Sequence, residues 1–277
     1  MNLSSTISHA LASSGLIPFE AKILLAHVLG CERAWIAAHG DAQLTREEAT
    51  RFEALARRRR EGEPVAYLTG RREFFGLELE ITRDVLIPRP ETELLVEKAL
   101  SWIPAESAAA VLDLGCGSGA VALAIAHERP RARALGADVA PAAVELARRN
   151  AERLAIANAL FIEADWFAGV PGQAFEVIVA NPPYIAEDDP HLGRGDLRFE
   201  PRAALSPGGD ALASIRAIIA GAQDYLGAGG VLALEHGHDQ APAVQELLVD
   251  AGFVDASSAR DLAGIFRVTW GRSRRPR

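Results

Sequence analysis

A mostly parallel, doubly wound α/β sheet accompanied by a small helical domain is the architecture this sequence predicts. Three observations predict it. From Val111 onward, short apolar runs alternate with helix-compatible stretches, as in strand–helix–strand units. A glycine-rich turn, Gly115 to Gly119, falls between the first of these runs and the helix that follows, at the end of the sheet where such folds bind ligands. Residues 1–72, by contrast, carry apolar side chains at helical spacing with little alternation.

The chain is taken in order. Leu11, Leu16, Ile23, Leu24 and Val28 are expected to face inward, followed by a helix through Ala49, Phe52, Leu55 and Ala56. The run Arg57 to Arg60 closes that helix, where positive charge suits the negative end of the helix dipole. It reads first as a solvated helix end and second as a contact surface. Residues 73–87 alternate as a hairpin does, punctuated by Gly76 and Arg83-Asp84, and are expected to link the two domains. Pro90 stands where a first helical residue belongs, with Glu91 and Glu93 in the first turn and a helix running to about Trp102. Strands are expected at Val111–Leu114, Ala134–Ala137, Leu160–Ile162, Val177–Ala180 and Val231–Leu234, with helices at Val121–His127 and Ala142–Leu154. Val254–Ser257 and Phe266–Trp270 are expected to pair antiparallel at the sheet edge, and the final RSRRPR, 272–277, to be a frayed tail. The domain boundaries are therefore 1–72, 73–87 and 88–277.

Composition narrows the classes. At 277 residues, with 49% apolar, the chain can build one large and one small core. A net charge of -8 speaks against a protein that grips long duplexes by neutralising phosphates. The two cysteines, Cys31 and Cys116, form neither a disulfide framework nor a thiolate zinc site, and no metal site is expected. The start of the chain lacks a secretory pattern and no run of about 18 apolar residues occurs, so the chain reads as soluble, cytoplasmic and free of any membrane partner.

The segment Val111-Leu-Asp-Leu-Gly-Cys-Gly-Ser-Gly-Ala120 removes side chains from a strand-to-helix turn so that a ligand can approach the backbone. Gly115, Gly117 and Ala120 also satisfy the dinucleotide pattern G-x-G-x-x-G/A, which keeps a nicotinamide enzyme open. Asp113 two positions before the first glycine and the G-x-G-x-G spacing favour the other nucleoside cofactors. Asp138 ends the second strand, where a carboxylate can accept from both hydroxyls of a ribose. Capping of the helix at Pro141 would use the same residue differently. Asp165-Trp166, just past the third strand, can hold an adenine with a carboxylate at its amino group and an aromatic face, or the indole can simply fill core.

Asn181-Pro182-Pro183-Tyr184 follows the fourth strand, Phe175 to Ala180. A β-to-α turn explains one or two of these residues. Amino-group methylation explains all four. A planar NH2 conjugated to a carbonyl or ring is a poor nucleophile, and two acceptors on its hydrogens favour pyramidalisation and aim the lone pair. The Asn181 side-chain oxygen and the Pro182 carbonyl can be those acceptors, stiffened by consecutive prolines, and Tyr184 offers a ring face. This is catalysis by position and preorganised dipoles.

D-x-G-x-G-x-G followed by N-P-P-Y resembles the amino-methyltransferase superfamily. Pro64–Gly70, Glu73–Gly76, Leu86–Glu93, Asn181–Ile185, Arg198–Pro201 and Leu234–Gly237, in that order, are similar to the release factor glutamine methyltransferases of the PrmC/HemK type. That resemblance implies a Rossmann-like seven-stranded methyltransferase sheet behind a helical domain that docks the substrate, and S-adenosyl-L-methionine as cofactor. It implies methylation of the side-chain nitrogen of the glutamine in the Gly-Gly-Gln motif of class one release factors, the proteins of translation termination, by a monomer with no nucleic-acid substrate. Carried over by position, Gly115, Cys116, Gly117, Ser118 and Gly119 line the methionine part of the cofactor, Asp138 the ribose and Trp166 the adenine. Asn181, Pro182, Pro183 and Tyr184 bind the glutamine; Asn181, Pro182 and Tyr184 are the catalytic set, and Asn181 also nears the cofactor. Arg89 and Glu91 are candidates for the pocket rim or for helix-start chemistry, and Glu235 and His236 read as structural. The competing reading is a methyltransferase of an exocyclic adenine or guanine amine, because such an amine presents geometry similar to an amide NH2. A base methylase reaches or flips its base and usually carries a basic groove, which the acidic balance disfavours.

Overall fold

The computed structural model describes residues 6–274. By contact density the chain forms two units, Met1–Arg71 with Arg194–Phe199, and Arg72–Gly193 with Glu200–Arg277.

The first unit consists of helices α1 (Ile7–Ser13), α2 (Pro18–Leu29), α3 (Arg33–Ala38), α4 (Arg46–Arg60) and α5 (Val65–Thr69), plus a 3-10 turn at Gly195–Phe199. Its core gathers Ile7, Leu24, Leu25, Val28, Ile36, Phe52 and Leu68, with Leu11, Leu16 and Leu55 packed at the margin. Helix α4 opens on a reciprocal cap between Thr45 and Glu48. It ends on Arg57 to Arg60, of which Arg57 and Arg60 are exposed, as a solvated helix end would have them, while Arg58 and Arg59 are half-buried. Arg58 meets Glu63 through two 2.7 Å bonds. Arg59 grips Glu20 at 2.8 and 2.9 Å and Asp196 at 3.0 Å, and Arg60 reaches Glu53 and the Ser14 carbonyl. The Arg59–Asp196 pair joins residues 137 positions apart, which no local pattern announces.

The second unit begins within strand β1 (Arg71–Phe74), from Arg72 on, which a two-residue turn joins to β2 (Leu77–Glu80). Phe75 and Gly76 there have φ of 50° and 77°, the paired positive values of a hairpin turn whose twist matches its strands. The expected linker is integrated into this unit. The Phe75 N–H donates to Glu93 Oε1 at 3.1 Å, and Asn150 bonds both the N–H and the C=O of Glu80.

After a 3-10 turn at Pro90–Thr92 where α-helix was expected, α6 runs over Glu93–Trp102. Then follow β3 (Ala110–Leu114), α7 (Ala120–Glu128), β4 (Arg133–Asp138), α8 (Pro141–Arg153), β5 (Ala159–Glu163) and β6 (Phe175–Ala180). The chain finishes with α9 (Arg202–Leu205), α10 (Ala213–Tyr225), β7 (Leu226–Glu235), α11 (Ala241–Asp250), β8 (Val254–Arg260) and β9 (Phe266–Arg272). Seven strands form one sheet in the order β5-β4-β3-β6-β7-β9-β8. All neighbours are parallel except β7–β9 and β9–β8. Strand β7 is continuously paired from Val231, as expected; the isolated Phe175–Leu226 pair precedes it, and residues 227–230 bulge out between the two, with Gly229 at a φ of 71°. Arg272, expected in a frayed tail, ends β9, and Ser273 is anchored to the Gly230 carbonyl at 2.8 Å; the remaining tail residues, 275–277, lie outside the described part.

The central strands β3 and β6 and the Val231–Leu234 part of β7 are nearly continuous apolar runs, as befits a sheet covered on both faces. Leu112, Leu114, Ile178, Leu232 and Leu234 are fully buried in one core with Ile215, Ile218, Val244 and Leu248 of the covering helices. The sheet order reverses direction between β3 and β6, and a crevice opens there beyond the strands' carboxyl ends.

Candidate active site

Strand register brings the site together. Leu114 pairs with Ala137 of β4 and with Ala180 of β6, and Asp138 pairs with Glu163 of β5. The residues that continue from these positions therefore leave adjacent strand ends side by side, roughly 4.8 Å apart along the ladder. They are Gly115, Asp138, the Ala164–Trp166 segment and Asn181. A cavity of about 210 Å³ opens at this point, walled by Gly115, Gly117, Asp138, Trp166, Asn181 and Pro183. Asp84–Leu86, Val139, Ala140, Ala164, Asp165 and Pro201 also line it.

The glycine turn folds back on β4. The N–H groups of Gly115 and Cys116 share the Ala137 carbonyl at 2.8 and 3.0 Å. Gly115, Gly117 and Gly119 all have positive φ, yet only two of them face the cavity wall. A Cβ at Gly117 would meet nothing within 4 Å, and one at Gly115 would come no closer than 3.7 Å to Trp166. At Gly119 it would strike Phe161, Ala147 and Leu123 at 3.0–3.1 Å. Gly119 is therefore demanded by packing, whereas Gly115 and Gly117 keep the space in front of the backbone open. Cys116 and Ser118 are buried and shape the turn from behind, the Ser118 carbonyl accepting from Asn150.

Asp138 accepts the Gly117 N–H on one oxygen and the Ala140 N–H on the other, both at 2.9 Å. It does not cap α8, whose start has no side-chain cap bond. Each carboxylate oxygen keeps a lone pair for a vicinal diol. Beside it, Val139 is 64% exposed although apolar, and with Ala140 and Ala164 it makes a flat apolar slot. Trp166 holds the left-handed φ of 48°, strain that a bulky residue tolerates where its position is over-determined. These features fit a nucleoside cofactor with a short polar tail. Behind the turn, Asp113 is buried and accepts the Ala122 N–H at 3.0 Å. Burial chiefly, with repulsion from Asp138, pushes its carboxyl up to about 7, and burial raises the Cys116 thiol well above its ordinary range.

At the other wall, Asn181 is half-buried and its Nδ2 donates to the Thr92 hydroxyl at 3.1 Å. Its Oδ1 is thereby left as the acceptor on offer. Pro183 lines the cavity, while Pro182 and Tyr184 do not. Pro182 is buried. Tyr184 packs against the core, donates its hydroxyl to Glu235 Oε1 at 3.2 Å, and offers its carbonyl to Gln240 at 3.0 Å. Burial and the nearby Glu235 raise its phenol pKa. Arg89, expected at the rim, pairs with the buried Glu200 at 2.5 Å, next to the wall residue Pro201.

Sequence reasoning missed Thr92 and Glu235 as members of this cluster. Both fall in segments singled out above, Leu86–Glu93 and Leu234–Gly237, so the signal was their presence there. His236 is structural as expected. Its Nδ1 donates to the Gly237 carbonyl, and its Nε2 faces the Thr269 hydroxyl in a chain continued by Ser258 and Gln245. No group of residues capable of holding a metal ion occurs among the described residues.

Residues 3–70 match the family described as PrmC N-terminal domain, and residues 91–215 the one described as methyltransferase small domain. The release factor glutamine methyltransferase of Burkholderia pseudomallei (strain K96243) is 53% identical over 274 residues, 97% of this chain and 96% of that protein. The release factor glutamine methyltransferase of Escherichia coli (strain K12) is 49% identical over 253 residues, 91% of each chain. A solved methyltransferase from Pyrococcus furiosus shares the fold, with TM-score 0.53 and 20% identity over 79% of this chain and 96% of that one.

Proposed function

The chain belongs to the release factor glutamine methyltransferases, and from that premise we propose that it methylates the glutamine of the Gly-Gly-Gln motif in peptide chain release factors, on the side-chain nitrogen. The methyl donor is S-adenosyl-L-methionine, which supplies a methyl group already activated by its sulfonium. The observation that carries the reading is that Asn181 opens onto the same cavity as Gly115, Gly117 and Asp138.

In this reading Asp138 holds the ribose hydroxyls, and Val139, Ala140 and Trp166 hold the adenine. The Gly115–Gly119 turn accommodates the methionine, with Gly115 and Gly117 in contact and Cys116, Ser118 and Gly119 holding its shape. Asn181 Oδ1 takes one hydrogen of the glutamine amide and the Pro182 carbonyl the other, so the nitrogen lone pair is aimed rather than activated by a base. Pro183 confines the amide plane. The ring of Tyr184 is set back from the cavity wall, so its part is to fasten this corner to β7 rather than to stack on the amide. The helical unit docks the release factor. Support comes from Ile17, Phe19 and Trp35, all apolar and exposed, with Arg33 lying 5.2 Å over the Phe19 ring, a composition suited to protein surfaces.

A single chain carries every residue of the site, which supports a monomeric enzyme. The net charge of -8 supports a protein rather than a nucleic-acid substrate. None of the described helices is long and apolar enough to cross a membrane, in keeping with work in the cytoplasm. The test is to incubate the chain with methyl-labelled S-adenosyl-L-methionine and either a release factor or DNA and RNA. Label on the Gly-Gly-Gln glutamine, located by peptide mass spectrometry, is the expected result; label confined to nucleic acid would transfer the assignment to base amines.

A further inference from the structure

Thr92 occupies the N-cap of α6, a position where a threonine side chain normally accepts a helix N–H. Here it makes no cap bond. Its hydroxyl, buried with the rest of the residue, receives Asn181 Nδ2 at 3.1 Å instead. It also faces Glu235, a fully buried carboxyl one position beyond the Ala180–Leu234 pair of β6 and β7. That second contact is loose, since Glu235 Oε2 has no partner at full hydrogen-bond geometry, while Oε1 is engaged by Tyr184 at 3.2 Å.

We infer that Glu235 and Thr92 together are positioning residues that decide which end of the Asn181 amide faces the substrate. The logic is the direction of each hydrogen. A hydroxyl has one hydrogen to give. With an ionised Glu235 beside it, Thr92 turns that hydrogen to the carboxylate and presents lone pairs to Asn181. Asn181 can then offer Thr92 only its NH2, which leaves the oxygen for the cavity. If Glu235 carried a proton or were an amide, it could donate to Thr92. Thr92 would then be free to donate to Asn181, and the reversed amide would present a donor to the substrate NH2, which has no use for one. Tyr184 shares the arrangement, because its hydroxyl occupies Oε1 and leaves Oε2 as the acceptor on the Thr92 side.

The charged groups around Glu235 are Arg267 of β9, which favours ionisation, and Glu91 of the Pro90–Thr92 turn, which opposes it. Burial is the largest influence and raises the carboxyl to about 7. The ionised, correctly oriented form therefore gains population as pH rises through about 7, and turnover is expected to rise with it.

This inference rests on the glutamine-methylating reading, and the test separates the two. Wild type, Thr92→Val, Thr92→Ser and Glu235→Gln are compared for kcat and for methyl-donor affinity, with a pH profile for each. Wild type inactive on release factor would sink the reading itself. With wild type active, Thr92→Val and Glu235→Gln are each expected to lose roughly tenfold in kcat, the worth of one hydrogen bond, with methyl-donor affinity unchanged. Thr92→Ser is expected to recover most of the rate, and Glu235→Gln to flatten the rise of kcat through neutrality. A merely structural role would lower stability without moving the pH profile. Native kcat in Thr92→Val, a Thr92→Ser variant as impaired as Thr92→Val, or an unaltered pH profile in the isosteric Glu235→Gln would each overturn the inference.

Discussion

In the proposed reaction Asn181 acts through an oxygen that carries no charge, so its value there lies in being held before the reaction begins. An acceptor fixed in a cavity needs no reorganisation as the amide nitrogen pyramidalises. Asn181→Ala is accordingly expected to keep the fold and the donor affinity but to lose about 10²–10³ in kcat, roughly 2.7–4 kcal/mol by analogy with a deleted oxyanion-hole donor. Single-turnover rates at saturating donor measure this directly, and a variant within a few fold of wild type would contradict the mechanism. At this scale much was legible beforehand. Asn181, Gly115, Gly117, Asp138 and Trp166 announce themselves because turn residues and a carboxylate at strand ends are local patterns. Thr92 was not legible as Asn181's partner, because 89 positions separate the two and a threonine before a helix ordinarily means a cap.

The glycine turn shows how one motif joins two demands. Gly117 and Gly119 look equivalent in the sequence, and both have positive φ, but their surroundings differ. Gly117→Ala carries the cost of a left-handed φ, about 1–2 kcal/mol, and otherwise intrudes only on ligand space. Gly119→Ala adds collision with Phe161, Ala147 and Leu123 at 3.0–3.1 Å, so about 2–4 kcal/mol is expected. Urea denaturation should therefore show the larger loss at Gly119 and donor titration the larger loss per unit of stability at Gly117; equal urea midpoints would contradict the distinction. Elements with apolar, β-branched runs, such as Val111–Leu114 and Phe175–Ala180, were legible to within a residue or two. The paired part of β7 from Val231 was legible in the same way, but the single Phe175–Leu226 pair was not, because a glycine-rich bulge at residues 227–230 separates it from the ladder. The engagement of Arg59 at the end of α4 was hidden for a related reason: Glu20 and Asp196 reach it from distant parts of the chain.

Across the whole molecule, buried carboxyls link stability to pH. Asp113 and Glu235 both titrate near 7 in the fold, above their ordinary values, with burial as the main cause. Between the ordinary carboxylate range and about pH 7, the folded state therefore binds more protons than the unfolded state. Their contribution is fully present in acid and is lost as pH rises through about 7, by roughly 4 kcal/mol at most for each. Asp113→Asn keeps an acceptor for the Ala122 N–H and carries no titrating proton, so it should flatten the fall of Tm between about pH 4 and 7. An unchanged slope in thermal unfolding would refute that source of the dependence. The α/β class was legible because strand and helix alternate locally, whereas the inclusion of Arg194–Phe199 in the helical unit depends on contacts between residues far apart in the sequence, Arg59 with Asp196 and Arg198 with the Glu61 carbonyl. The register that sets Leu114 against Ala180 also dictates which changes the chain can survive over evolutionary time. Lengthening the exposed Pro171–Gln173 bend leaves the ladders alone. Inserting one residue within Phe175–Ala180 would slide Asn181 about 3.3 Å along the sheet or turn it to the opposite face. Drift in length should therefore accumulate in the connecting loops of related chains while β3 and β6 keep their residue counts.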